Sequence, residues 1–375
     1  MAAEAGLHNA PQAGPHNALI DLPGIRVGHH TVVGDGYLTG STVVLAPAGG
    51  MTASVDVRGG GPATHETDLL APSASVERIH ALVLTGGSAF GLVTCTGVMN
   101  ELALAGVGVP VGPTAAEVVP IVPGAALLDL GRGGDFNARP TLRFGALALR
   151  AAQHQDPEPG LGAAQQSPQL GSIGAGTGAV TCYLKGGIGT ASVVLPGVGT
   201  VAAIVAVNAA GSPIDNRTGE LLGAHLLLPA DGQPPAVSAA AVDALRQATA
   251  PRPGRIGFAA EKDQPNTLGH TTLVVVGTDA ILTKAQCAKM AGVAQNGLAR
   301  ALNPVHTAFD GDVVFGVSTG TAEAPDILGF HQITVAAADV VARSIVRALL
   351  AATGVTTADG SWPSYSDVIS SARKA

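Results

Sequence analysis

Gly269-His270-Thr271-Thr272-Leu273-Val274-Val275-Val276 is the stretch on which the reading of this chain turns. Upstream, Asp263-Gln264-Pro265-Asn266-Thr267-Leu268 carries too many breakers for regular structure. Downstream, the β-branched apolar run reads as a buried strand. The junction thus sets a hydroxyl on the first residue of a rigid element, with loop in front of it. A threonine hydroxyl is a weak nucleophile and needs a base. If the chain is cut before Thr271, the freed α-amine of the same residue supplies one. That amine has an unperturbed pKa of ~7.7–8.0, in the range that general-base catalysis favours. Before the cut, the hydroxyl could attack the His270 carbonyl, and water would open the resulting ester to free Thr271. The competing reading is a strand-opening threonine that only favours β structure.

Working outward, residues 271–277 are predicted as a strand. Thr283 opens a helix with a capping box, since Gln286 stands three residues later. Cys287, Met290, Ala291, Ala294, Leu298 and Leu302 form the apolar stripe of that helix. Residues 312–318 read as another strand and 332–352 as a long Ala/Val/Leu helix. Earlier strands are expected at 41–45, 81–84, 189–194 and 201–207. The 81–84 strand runs through Thr85-Gly86-Gly87-Ser88 into a helical pattern of Leu92, Cys95, Val98, Met99 and Leu102. A short helix is expected at 239–247 between loops at 229–235 and 250–255, and an exposed Pro/Gly-rich insertion at 153–170. Strands and helices alternating after a strand-rich first part predict a single α+β domain of layered sheets and helices, residues 1–375.

Of the 375 residues, 46% are hydrophobic and only 13% charged, against roughly 25% charged in ordinary globular chains. With 51 glycines and 3% aromatics, the core must bring backbone close to backbone. A net charge of -7 gives no electrostatic reason to bind nucleic acid or an anionic membrane. The uncharged stretch 186–214 is broken by Gly, Pro and Asn, whereas a membrane helix needs ~20 predominantly apolar residues. Residues 1–17 show no signal-peptide pattern. Cys95, Cys182 and Cys287 are widely spaced and odd in number, so neither a disulfide framework nor a zinc site is expected. A reducing cytoplasm is the expected location.

Familiar cofactor signatures fail. The glycines of 171–178 fall at the wrong intervals for a dinucleotide site, Lys185 lacks the preceding P-loop glycine, and no His-Glu-x-x-His occurs. Gly316-Val317-Ser318-Thr319-Gly320 fits the nucleophile-elbow pattern, but Thr321-Ala322-Glu323-Ala324-Pro325 follows where a helix must start. Other residues carry two readings each. Asp310-Gly311-Asp312 is a solvated turn, or a carboxylate pair that orients the hydroxyl or amine and shares a proton. Lys185 is a snorkelling surface lysine, or a lone cation placed for chemistry. Asn208 makes a turn after an apolar strand, or donates to an oxyanion.

Taken in order, several segments are similar to the DmpA-type L-aminopeptidase/D-esterase family. They are Gly24-Ile25-Arg26-Val27-Gly28-His29, Asp56-Val57-Arg58-Gly59-Gly60, Glu66-Thr67-Asp68-Leu69 and Leu84-Thr85-Gly86-Gly87-Ser88-Ala89-Phe90-Gly91-Leu92. Val119-Pro120-Ile121-Val122-Pro123, Lys185-Gly186-Gly187-Ile188-Gly189, Val207-Asn208-Ala209, His270-Thr271-Thr272, His306-Thr307 and Asp310-Gly311-Asp312 complete the series. That family includes β-peptidyl aminopeptidases and the nylon-oligomer (6-aminohexanoate-oligomer) endohydrolase.

The resemblance implies a four-layer αββα sandwich, similar to ornithine acetyltransferase and analogous to N-terminal-nucleophile hydrolases. It implies a precursor that cuts itself between His270 and Thr271 into a large part, 1–270, and a small part, 271–375. Thr271 would be the nucleophile, Asp310 and Asp312 its supports, Asn208 the oxyanion-hole residue, and Lys185 the lysine of the nylon-oligomer hydrolase site. Expected substrates are small peptides, amino-acid amides, esters or ω-amino-acid oligomers, with no cofactor or metal. Processed heterodimers would assemble as homo-oligomers, a tetramer among them. Two positions depart from the family. His270 stands where Asn or Gly is frequent before the nucleophile. Leu128, a substrate-pocket candidate, stands where several members carry an aromatic, often a tyrosine that helps bind the scissile carbonyl. Two other readings remain at this stage: an acyl transferase of the ornithine acetyltransferase type, and a non-catalytic scaffold that never matures.

Overall fold

The computed structural model describes residues 11–154, 168–250 and 270–373. The loop expected at 263–268, most of the 153–170 insertion and residues 251–255 lie outside them. In chain order the principal strands are β1 (Arg26–Gly34), β2 (Tyr37–Leu45), β3 (Met51–Val57), β4 (Ala63–His65), β5 (Arg78–Ile79), β6 (Ala81–Thr85) and β7 (Gly124–Ala126). They continue with β8 (Gly187–Leu195), β9 (Gly199–Asn208), β10 (Thr271–Thr278) and β11 (Val313–Ser318). The longer helices are α1 (Val93–Leu104), α2 (Leu142–Gln153), α3 (Ala239–Ala248), α4 (Lys284–Ala301), α5 (Ile327–Ala351) and α6 (Tyr365–Ala372).

Two mixed sheets result. One runs β1-β2-β6-β7-β4 and the other β8-β9-β10-β11-β3-β5. Among the described strands of these two sheets, only β6–β7 and β10–β11 pair in parallel. Alternation along β10 shows how the layers stack. Leu273 and Val275 enter an apolar core shared with Val44, Leu82, Leu84 and Ala125 of the first sheet. Val274 and Val276 face the opposite way, into the core with Met290 and Leu298 of α4 and Val341 and Ile345 of α5. A strand buried on both faces reads as an unbroken apolar run. A further cluster joins Val43 and Val83 to Val98 of α1 and Leu149 of α2. The order is helices, sheet, sheet, helices, the αββα sandwich expected.

Small residues let these layers close. A Cβ on Gly189 of β8 would lie 1.9 Å from the Ser344 carbonyl of α5, and one on Gly28 of β1 would lie 2.1 Å from the Ala148 carbonyl of α2. Helix backbone therefore rests directly on strand backbone in both outer layers. One buried ion pair spans distant segments. Arg343 of α5 donates to Asp231 at 2.7 Å, to the Ser192 carbonyl at 2.8 Å and to Asn17 Oδ1 at 2.9 Å. It ties the N-terminal segment, β8 and the 3-10 turn Pro229–Asp231 to one helix.

Helix ends follow local chemistry. The Thr283 hydroxyl accepts the Gln286 N–H at 3.2 Å, and Gln286 Oε1 accepts the Thr283 N–H at 2.9 Å, closing the predicted capping box. α5 begins at Ile327 rather than 332, because Asp326 accepts the Gly329 N–H at 2.7 Å and caps it earlier. Its first turn escapes sequence reading because Ile327 and Leu328 face solvent.

Candidate active site

Thr271 opens β10, and β9 runs antiparallel beside it with Asn208 directly opposite Thr271. Residues so paired share a face of the sheet, with Cβ atoms about 4.5–5.5 Å apart. That face is set by Leu273 and Val275 on one strand and Ile204 and Ala206 on the other, all in the core between the sheets. Thr271 and Asn208 thus stand together at the end of that core, 4% and 0% exposed. Thr272 takes the opposite face, with Val274 and Val276, so only the first hydroxyl of the pair reaches this site.

β11 lies parallel to β10 with Leu273 opposite Val313, and a His270–Asp310 bridge carries the register back past the strand starts. This sets Gly311 beside Thr271. The Gly311 N–H donates to the His270 carbonyl oxygen at 2.7 Å, and the Thr271 hydroxyl donates to the same oxygen at 2.6 Å. A Cβ on residue 311 would lie 2.7 Å from Thr271 Oγ1. Glycine between the two acids is what lets backbone approach the hydroxyl so closely.

The two acids flank Gly311 and each accepts hydrogen bonds from different segments. Asp310 Oδ2 accepts the N–H and hydroxyl of Thr307 at 2.8 and 2.7 Å, and its Oδ1 accepts the Ala210 N–H at 3.3 Å. Asp312 Oδ1 accepts the Thr272 N–H at 2.8 Å, while Oδ2 accepts the His306 N–H at 3.1 Å and lies 2.8 Å from His306 Nδ1. Each carboxylate is held by its own set of donors. Asp312 pins the start of β10, and Asp310 ties the Thr307 turn to the end of β9.

Lys185 is not a surface lysine. It is fully buried, and Nζ donates to the carbonyls of Gly176, Ala179 and Gly186, each at 2.9 Å. All three ammonium donors are engaged there rather than on Thr271. Burial lowers its pKa to about 7; the positive charge of Arg132 acts the same way and Asp129 opposes both. Leu128 is half-buried, and its carbonyl lies 3.4 Å from Asn208 Nδ2, which places it at the edge of the site.

Sequence reading assigned no role to Asp129 and Arg132. Arg132, 7% exposed, donates through Nη1 to Asn208 Oδ1 and to the Gly178 carbonyl, both at 2.6 Å. Asp129 accepts the Gly87 N–H at 2.7 Å, and burial pushes its carboxyl up to about 6. The available signal was two charges three residues apart, directly after Leu128, in a chain where charge is scarce. Among the described residues no group of three or more His, Cys, Asp or Glu is placed to hold a metal, and no helix is long and apolar enough to cross a membrane.

A hydroxyl at the head of an internal strand, an amide across the ladder and an αββα sandwich together define the class of N-terminal-nucleophile-type hydrolase folds. The chain belongs to peptidase family S58, whose profile matches residues 17–362. It is 40% identical over 376 residues to an uncharacterised aminopeptidase of Mycobacterium leprae, covering 94% of this chain and 96% of that one. It is 28% identical over 316 residues to a 6-aminohexanoate-oligomer endohydrolase of Kocuria sp., covering 82% and 77%.

Solved structures share the fold. A β-aminopeptidase of Burkholderia sp. superposes with a TM-score of 0.70 at 22% identity, covering 98% of this chain and 96% of that one. The L-aminopeptidase D-Ala-esterase/amidase of Ochrobactrum anthropi, described as a variant of the Ntn hydrolase fold, gives 0.69 at 20% identity, covering 98% and 97%. The protein is a hydrolase of the aminopeptidase and amidohydrolase type, as the sequence motifs implied.

Proposed function

We propose that this protein is a self-processing amidohydrolase whose nucleophile is Thr271, made N-terminal by a cut after His270. The observation that carries this reading is the Thr271 hydroxyl, 2.6 Å from the His270 carbonyl oxygen, with the Gly311 N–H on that same oxygen. In the precursor, Oγ1 attacks the His270 carbonyl carbon. The Oγ1–C bond forms, the C–N bond to Thr271 breaks, and the departing nitrogen takes the hydroxyl proton. The Gly311 N–H stabilises the transient oxyanion. Water then opens the ester, leaving a carboxylate on His270 and a free amine on Thr271.

In turnover that amine takes the Oγ1 proton as Oγ1 attacks a substrate carbonyl. Asn208 Nδ2 donates to the substrate oxyanion, the leaving amine departs with the proton, and water releases the acyl group. Asp312 holds the start of β10 and Asp310 the end of β9 while this proceeds, and Lys185 rigidifies the chain behind Asn208 through its carbonyl cage. Relatives named aminopeptidase and 6-aminohexanoate-oligomer endohydrolase support small peptides, amino-acid amides or ω-amino-acid oligomers as substrates. Leu128 at the edge of the site supplies no side-chain donor there, so carbonyl binding relies on Asn208. We place the processed protein in the cytoplasm as a homo-oligomer; three free cysteines support the first, and apolar Ile327, Leu328 and Val335 on the outer face of α5 the second.

Intact mass of the wild type beside Thr271→Ala is the test. The expected wild type gives two chains, 1–270 and 271–375, and the variant one. A whole wild type, or a variant still split after His270, overturns the reading. Amino-acid p-nitroanilides, β-peptides and 6-aminohexanoate oligomers then sort the substrate class.

A further inference from the structure

Asn208 serves an oxyanion only if its Nδ2, and not its Oδ1, faces the reacting carbonyl. The two ends of a side-chain amide are nearly alike in shape, and the surrounding partners decide which is which. Here one end meets Arg132 Nη1 at 2.6 Å and the Val180 N–H at 3.0 Å. Both partners can only donate, so the atom between them is the oxygen. Nδ2 is left with one long contact, 3.4 Å to the Leu128 carbonyl, and keeps donor capacity for a ligand.

We propose that Arg132 is a positioning residue for amide hydrolysis: it locks the Asn208 amide so that Nδ2 is presented to the acyl oxygen of a substrate on Thr271. A flipped amide would set donors against donors in a buried site. Arg132 is itself held, since the same Nη1 donates to the Gly178 carbonyl and its own carbonyl accepts the Thr357 hydroxyl at 2.6 Å. Burial disfavours its charge, and the carboxylates of Asp129 and Asp359 oppose that. The side chain acts through Asn208, the side-chain amide it bonds.

This inference rests on Thr271 being the nucleophile, and it separates two reactions at one hydroxyl. In self-cleavage the His270 oxygen is served by the Gly311 N–H, not by Asn208. Loss of Arg132 therefore leaves the cut intact and cripples turnover, so the cut reports that a variant has folded.

The experiment compares wild type, Arg132→Met and Arg132→Lys by intact mass, and by steady-state hydrolysis of an amino-acid p-nitroanilide that the wild type turns over. Both variants are expected to split after His270. Arg132→Met loses about 100-fold in kcat, the scale of one oxyanion donor, with KM within about threefold. Arg132→Lys, which keeps a single donor for Oδ1, recovers about tenfold of that loss. A cut Arg132→Met with kcat within about threefold of wild type overturns the proposal, as does a loss carried by KM alone. If neither variant cuts itself, Arg132 holds the fold rather than the amide, and the proposal falls. If only the methionine variant stays whole, the lysine variant decides: a kcat lowered about tenfold supports the proposal and an unchanged one overturns it. A wild type that stays whole rejects the Thr271 reading instead, and is seen before any variant is assayed.

Discussion

Gly311 and Lys185 show what single residues contribute that their neighbours in sequence conceal. Gly311 looks like a hinge between two acids, yet its place is fixed by the Thr271 hydroxyl, which leaves no room for a Cβ. Lys185 looks like a stray surface charge, yet three carbonyls from 176, 179 and 186 enclose it. With its pKa lowered by burial to about 7, against an ordinary 10.5, the folded chain binds fewer protons at this site than the unfolded chain between those values. The lysine's cost to stability is therefore full below pH 7 and fades as pH rises through that window. Wild type should gain on Lys185→Met as pH goes from 6 to 9.5, read from urea midpoints of both at each pH. Two curves that run parallel would show that the ammonium is not desolvated as described. Thr271, Asn208 and the acidic pair were legible in sequence because a breaker-rich loop, a strand end or a glycine marks each. Arg132 was not, because its partners at 178 and 208 meet it only in the folded chain.

Among elements, several with branched apolar runs were legible, and α2, with small residues on its buried face, was not. The strand predicted at 271–277 is Thr271–Thr278, and that at 312–318 is Val313–Ser318. α2 went unread because much of its buried face is Gly145, Ala148 and Ala152, which carry little apolar signal yet pack closely on β1 and β2. α5 depends on more than its apolar stripe. Arg343 and Asp231 are almost wholly removed from water, with side chains 2% and 0% exposed. Removing one partner of such a pair strands the other charge, at about 3–5 kcal/mol. Asp231→Ala should lower the unfolding free energy by about that amount in urea titration. A loss below about 1 kcal/mol, the scale of an exposed ion pair, would show that water reaches the arginine.

For the whole molecule, the decisive fact is strand order. β10 and β11 belong to the part after residue 270, while β9 on one side and β3 on the other belong to the part before it. The small part is therefore laced into the middle of the sheet, with α4 and α5 covering it. Once the proposed cut is made, the two chains should elute together in native size exclusion and separate only in denaturant. Separate elution without denaturant would contradict this strand order. Layering was legible from the sequence as alternating strands and helices. The interleaving was not, since no local pattern tells a strand which neighbours it will pair with.

That interleaving would give the proposed break a thermodynamic direction. In the uncut chain, a molecule that unfolds finds its own missing strands at the end of a tether, and recovery does not depend on how many copies are present. After the break the same two strands belong to a separate solute. Recovery becomes a second-order encounter whose yield falls on dilution, and survival rests on how slowly the assembled sheet opens. The proposed cut before Thr271 would thus exchange reversibility for a reactive amine.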